Sequence, residues 1–165
     1  CTSRGLGDVY KRQVYDEKLD SWVAPFFMAP INTKNIHRSN ALMDHIYGED
    51  FCYNEMWIQG TGDEGKAAAD FISKSNPLSK APKPGEGPSR ESRENGNYDL
   101  LFCGDIDDKS IHVSVTGDMD PGYGSTSKMI TESAVCLVKE CDDLKGGIYT
   151  SASSMGTKLI KFCAH

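Results

Sequence analysis

Apolar positions along this chain come in short bursts whose period changes from one burst to the next. Trp22 to Ala29 is a dense apolar and aromatic run, which suits a buried strand or the floor of a cleft. Pro25 within it argues against an ordinary central-strand position. Val14 to Asp20 ahead of it is a polar lead-in. A helix is expected from a cap at Asn32 or Thr33 to about His45. Ile36, Asn40 and Met43 lie near one face of it, Ala41 and Leu42 widen that face, and Lys34, His37 and Arg38 make its start basic. Phe51 to Ile58 alternates aromatic or apolar residues with polar ones and reads as a strand. Asp63 to Lys74 reads as a short helix burying Ala67, Ala68, Phe71 and Ile72. Residues 75–88 form a loop: four prolines and two glycines fall between Asn76 and Pro88 without periodicity. Ser89 to Glu94 supports one or two helical turns, closed by Gly96.

The next stretch predicts a β-hairpin, Tyr98 to Cys103 and Ser110 to Thr116, around Asp105-Ile106-Asp107-Asp108. Ile111, Val113 and Val115 alternate with His112, Ser114 and Thr116, so one face is expected to be buried and the other to be wet or to face a cleft. A helix comes next, from about Ser125 to Cys141, with Ile130, Ala134, Leu137, Val138 and Cys141 at core-stripe spacing. Gly146-Gly147 turns the chain into a short strand, Ile148 to Thr150. A last helix spans roughly Ser154 to Phe162, with Met155, Leu159 and Ile160 inward. Helices beside an antiparallel or mixed sheet make an α+β fold. No βαβ alternation is present, so a doubly wound nucleotide-binding sheet is not expected from these residues.

Ser3 to Gln13 matches the translation of a transposon-end adapter used in sequencing libraries, and residues 1–13 are set aside as non-natural sequence. Residues 14–165 are long enough for a domain with a real core. The net charge of −6 leaves no basic stripe for phosphates, which argues against nucleic acid as a partner. No apolar run approaches the length of a membrane span. Cys52, Cys103, Cys136, Cys141 and Cys163 form no C-x-x-C, and read as reduced thiols of a cytoplasmic protein, buried as small apolar side chains. His37, His45 and His112 lack metal-ligand spacing, so no metal site is expected.

Two groups of residues are candidate substrate contacts. In Asp120-Pro121-Gly122-Tyr123-Gly124-Ser125-Thr126-Ser127-Lys128-Met129 a glycine-rich turn runs into a helix, a geometry that aims backbone N–H groups at an anion. Tyr123, Ser125, Thr126 and Lys128 would line that pocket; the competing reading is a tight turn with a capped helix and a solvated lysine. Asn32, Arg38 and Asn40 form the other group. Arg38 could clamp a carboxylate or phosphate through two hydrogen bonds; alternatively Asn32 only caps a helix and Arg38 makes a surface or interdomain ion pair.

Three segments in order resemble the saccharopine dehydrogenase-like oxidoreductases, in particular their trans-acting enoyl reductase branch. They are Ala24-Pro25-Phe26-Phe27-Met28-Ala29-Pro30-Ile31-Asn32-Thr33 with Arg38-Ser39-Asn40-Ala41-Leu42; Pro84-Gly85-Glu86-Gly87-Pro88-Ser89; and Asp120 to Met129 with Glu132-Ser133-Ala134, Gly146-Gly147, Ser151-Ala152-Ser153 and Met155-Gly156. The likeness runs from about Trp22 to Phe162. It implies the C-terminal substrate or dimerisation domain of a Rossmann-type enzyme whose N-terminal domain is missing here. NAD or NADP would serve the intact parent, with hydride transfer to an enoyl-type or imine carbon of a small-molecule substrate. The fragment alone is expected to hold no cofactor and to be inactive, and a homodimer is one option for the parent. The resemblance further implies an exposed apolar face around Trp22, Phe26, Phe27 and the last helix, where the missing domain packs. The alternative is a non-catalytic scaffold or small-molecule-binding protein that keeps the same fold.

Overall fold

The computed structural model describes residues 12–75, 82–83 and 85–163. The chain divides into two compact units, Cys1–Ala81 with Gly146–Ser153, and Pro82–Lys145 with Ser154–His165. Helices alternate with small sheets in which every described strand pair is antiparallel, an α+β arrangement.

In the first unit the strands β1 (Val14–Asp16), β2 (Ser21–Pro25) and β3 (Met56–Gly60) form a sheet in the order β1-β2-β3. The expected strand near Trp22 is therefore central, and the polar lead-in supplies its neighbour. Pro25 is tolerated because it is the last residue of β2, paired with Met56, where a missing N–H costs little. Val23 and Ala24 are buried.

Helix α2 (Gly62–Lys74) packs over β2 and β3. Its fully buried positions are Gly65 and Ala69; of the expected Ala67, Ala68, Phe71 and Ile72, Ala68 and Ile72 are half-buried, while Ala67 and Phe71 are exposed, Phe71 to 72%. Close approach explains the rotation. A Cβ at Gly65 would lie 2.2 Å from the carbonyl oxygen of Gly60, so only the smallest residues can face the sheet at that distance.

Helix α1 (Ala29–Leu42) starts before the expected cap. Met28 occupies the N-cap without a side-chain bond, and Pro30 fits the first turn, where no intrahelical N–H is needed. Its buried positions are Ala29, Thr33, Ser39 and Asn40, while Ala41 and Leu42 face outward. The inward side is thus largely polar, which a search for an apolar stripe would not find. β3 begins at Met56 rather than Phe51; the Phe51 ring instead packs near the rings of His37, Tyr47 and Tyr53.

The second unit opens near the expected loop, of which residues 76–81 and 84 lie outside the described residues. Ser89 caps α3 (Arg90–Glu94), its hydroxyl accepting the Ser92 N–H at 3.1 Å. The hairpin is present and longer than expected: β4 (Tyr98–Ile106) pairs with β5 (Lys109–Gly117) across a two-residue turn, Asp107-Asp108. Asp107 takes φ 51°, a left-handed conformation that Asp tolerates better than most residues.

Leu100, Phe102, Ile111, Val113 and Val115 share one face by register, and the expectation that this face is buried is not met: all five are exposed. Helix α4 (Gly124–Glu140) is also oriented differently from its apolar stripe. Of that stripe only Cys141, at the C-cap, faces inward as expected; Ile130, Ala134, Leu137 and Val138 face outward, and Cys136 is buried in their place. Cys136 and Cys141 form a small core with Met155 of α5 (Ser151–Met155), flanked by Leu144 and by Leu159 and Phe162 of α6 (Thr157–Cys163). The expected strand over 148–150 is irregular, and Ile160 is exposed.

Cys103, Cys136, Cys141 and Cys163 are free thiols, and burial pushes the Cys136 thiol upward from its ordinary value, with neighbouring Cys141 adding to it. No described helix is long and apolar enough to cross a membrane, and the described residues hold no cluster of three or more potential metal ligands. Trp22 and Phe26 are half-buried and Phe27 is exposed, its ring 6.3 Å from that of exposed Trp57.

Candidate functional site

The turn ahead of α4 is built around one carboxylate. Asp120 lies three residues beyond β5, and its backbone N–H donates to the Arg93 carbonyl at 3.0 Å, tying the turn to the end of α3. Its side chain then folds forward. Oδ1 accepts the N–H groups of Gly122 (3.0 Å) and Tyr123 (2.9 Å), and Oδ2 accepts that of Gly124 (2.6 Å). The Ser125 N–H donates to the Asp120 carbonyl at 2.9 Å.

These are the donors that a glycine-rich helix start presents to an anion, and the anion here is internal. The three N–H groups hold the Asp120 carboxyl below the usual carboxylate range, Gly124 contributing most, with the Arg93 charge adding to the effect. Gly124 is required by this closeness, since a Cβ there would sit 2.9 Å from Oδ2.

The flanking hydroxyls are spent in the same turn. Ser125, buried, donates to the Met119 carbonyl at 3.3 Å, and Thr126 donates to the Pro121 carbonyl at 2.6 Å. Tyr123 is exposed, and its ring lies against Gly87, where a Cβ would approach Cε1 to 3.2 Å. Arg93 also donates to the Pro88 carbonyl at 2.7 Å. The Gly87-Pro88 stretch and the Asp120 turn, far apart in sequence, are thus neighbours within this unit. Lys128 faces solvent with a loose 3.8 Å ion pair to Asp118, a geometry that holds it weakly.

Asn32, Arg38 and Asn40 sit on α1 in the other unit. Asn32 does not cap the helix; its amide donates to Glu55 at 2.9 Å. Asn40, buried, clamps the turn after α1: its amide donates to the Gly48 carbonyl at 2.8 Å while its oxygen accepts the Tyr47 N–H at 2.9 Å. That turn contains Asp44 and His45 at φ 52° and 57°, and the clamp helps hold a backbone that non-glycine residues rarely adopt. Arg38, exposed, reaches the Ile148 carbonyl at 3.3 Å instead of an acidic partner, and Ser39 beside it donates to the Thr150 hydroxyl at 2.7 Å. The Arg38-Ser39-Asn40 and 146–153 stretches therefore meet in space.

Sequence reasoning did not assign the role of Asp120. The available signal was Asp followed by Pro-Gly-x-Gly ahead of a helix, because Asp side chains bond their own backbone two or more residues on. The arrangement also tests a dinucleotide. A pyrophosphate placed at the start of α4 would need N–H groups that Asp120 already occupies and would face its negative charge, so this turn does not fit one.

No protein-family model matches the chain, and no solved structure matches it. Relatives are found among curated proteins of mycobacteria. A protein of Mycobacterium tuberculosis described as a candidate trans-acting enoyl reductase is 32% identical over 171 aligned positions, covering 91% of this chain and 41% of the relative. The trans-acting enoyl reductases of Mycobacterium ulcerans and Mycobacterium bovis are each 28% identical, covering 90% of this chain and 40% of their own length. The chain therefore spans about two fifths of the length of the curated relatives it matches.

Proposed function

We propose that this chain is the C-terminal part of a longer NAD(P)-dependent oxidoreductase of the saccharopine dehydrogenase-like type, which in intact form delivers hydride to an enoyl substrate. The observation that carries the proposal is the likeness, over about nine tenths of the chain, to proteins named trans-acting enoyl reductases. The cofactor belongs to the remainder of the protein, a reading supported by the misfit between the Asp120 turn and a dinucleotide phosphate.

Within these residues the roles divide. Asp120, Ser125, Thr126 and Asn40 hold backbone shape, since their polar atoms are committed inside the chain. Tyr123 and Lys128, together in one unit, keep exposed polar groups and are the ones to contact substrate; Arg38, in the other unit, is exposed and holds the Ile148 carbonyl. Asn32 supports α1 through Glu55.

Titrating the 165-residue chain with NADPH tests the division of labour. No saturable binding in the micromolar range is the expected outcome, and a micromolar Kd would place the cofactor site in these residues and overturn the reading. In the longer protein, Lys128→Ala is expected to lower kcat/KM for an enoyl thioester by about tenfold or more, comparable to losing a charged contact. An unchanged kcat/KM would remove Lys128 from the substrate site.

A further inference from the structure

We propose that α4 and α6 carry a site of oxidation by hydroperoxides, in which the exposed Cys163 thiol is oxidised and then closes a disulfide onto the buried Cys136 thiol. This inference does not depend on the oxidoreductase reading. It starts from the faces of the two helices. Leu159, Phe162 and Cys163 stand at i, i+3 and i+4 of α6 and share one side of it. Leu159 and Phe162 pack against the small core that holds Cys136 and Cys141. Cys163 therefore continues the face that meets Cys136, at its solvent rim: Cys136 is fully buried and Cys163 is exposed. The Cys141 thiol hydrogen-bonds with that of Cys136, and the Cys163 thiol is near enough to act on it electrostatically. A cation stands beside the group. The Lys158 ammonium, paired with Asp143 at 2.6 Å, also lies within electrostatic reach of the Cys141 and Cys136 thiols.

Helix geometry selects the partner. Cys136 and Cys141 touch, but both belong to α4, Cys141 as its C-cap. A rise of about 1.5 Å per residue holds their Cα atoms about 7.5 Å apart along the axis. A disulfide closes without backbone movement only up to roughly 7 Å, so joining this pair would unwind the end of α4. Cys163 is under no such limit. It is the last residue of another helix, and helix ends fray. Access sets the order of events. The thiolate is the attacking form, and burial pushes the Cys136 thiol up, which keeps it protonated. Exposed Cys163 meets the oxidant first. Its thiolate attacks the distal oxygen of the hydroperoxide, the O–O bond breaks, and the alkoxide leaves as alcohol with the proton that the thiol gave up. Cys163 is now a sulfenic acid, which condenses with a neighbouring thiol. The Cys136 sulfur attacks the Cys163 sulfur, the S–O bond breaks, and hydroxide leaves as water with the Cys136 proton. Lys158 offsets the charge that Cys136 develops as that proton departs. The two thiols lose two electrons and the peroxide gains two. The product fastens α6 to α4.

The test maps disulfides by mass spectrometry after the 165-residue chain has met hydrogen peroxide and its remaining thiols have been alkylated. Trypsin cuts after Lys128, Lys139, Lys145 and Lys161, which puts Cys136, Cys141 and Cys163 on separate peptides, 129–139, 140–145 and 162–165. The expected product is 129–139 joined to 162–165 and released by dithiothreitol. Closure in the folded chain is expected to outpace closure in urea by about tenfold or more, as for two groups held in place. In Cys136→Ala, Cys163 is expected to stop at the sulfenic acid, trapped by dimedone, while Cys141→Ala still forms the link. Circular dichroism checks that both variants fold, and the unsubstituted chain carries the test by itself if one does not. No link, a link from 129–139 to 140–145, or a yield that rises with protein concentration would overturn the proposal. So would equal rates in the folded chain and in urea.

Discussion

The two sheets of this molecule carry similar apolar sequence and end in opposite environments. β2, five residues long, is central and buried, with Val23 and Ala24 sealed under α2. β4 and β5, nine residues each, alternate more regularly, yet their apolar face is open. The difference lies in the element that each sheet's last strand leads into. β3 leads after one residue into α2, whose Gly65 and Ala69 let the helix settle on the sheet. β5 leads instead into the Asp120 turn, which fixes the start of α4, and the inward side of that helix, Cys136, serves a separate core. Alternation makes a strand; a cover needs a neighbour with a matching narrow side.

Charge placed on each sheet should separate the two most sharply. Ala69→Asp puts an unpaired carboxylate under β2 and is expected to cost about 3–5 kcal/mol in urea unfolding; a cost below about 1 kcal/mol would mean that α2 does not seal the sheet. Asn40→Ala strips the clamp from the turn after α1, leaving backbone groups of Tyr47 and Gly48 without their partner, and should cost about 1–3 kcal/mol by the same measurement.

Asp120 gives a pH signature. Its native carboxyl is held below the usual range, while an unfolded aspartate titrates near about 3.9. The stabilisation is therefore complete above about pH 4 and is lost as the pH falls through the lowered native value. The protection of the Gly122 to Gly124 amides, taken relative to their intrinsic exchange rate at each pH, should fall over that range, and Asp120→Asn should flatten the dependence. Arg90→Ala removes only an exposed i,i+4 pair with Glu94, and its cost should stay under about 0.5 kcal/mol. Val113→Asp should change stability by less than about 0.5 kcal/mol; a loss like that of Ala69→Asp would show the hairpin face to be covered from within.

Local signals were legible in the sequence. The hairpin, the Ser89 turn and the helical spans could be read because alternation, capping and turn residues act over a few positions. The facing of helices could not. α1 buries Thr33, Ser39 and Asn40, polar residues whose burial depends on partners elsewhere, such as Thr150 for Ser39. α2 and α4 turn small or thiol side chains inward because the closest approach, not the greatest apolarity, sets rotation there. For the candidate site, Tyr123 and Lys128 were placed at a helix start as expected. The charge that fills that helix start came from the motif's own first residue, whose reach back to its backbone only coordinates reveal.

The route of the chain carries a consequence for how it is made. Residues 146–153 belong with α1, through Ser39 to Thr150 and Arg38 to Ile148, bonds that join positions 111 and 110 residues apart. Between them lies most of the other unit. On a ribosome adding about 5–20 residues per second, α1 would wait several seconds before those partners emerge. Over that interval Asn40 already has Tyr47 and Gly48, and only the bonds of Arg38 and Ser39 to Ile148 and Thr150 remain to be made.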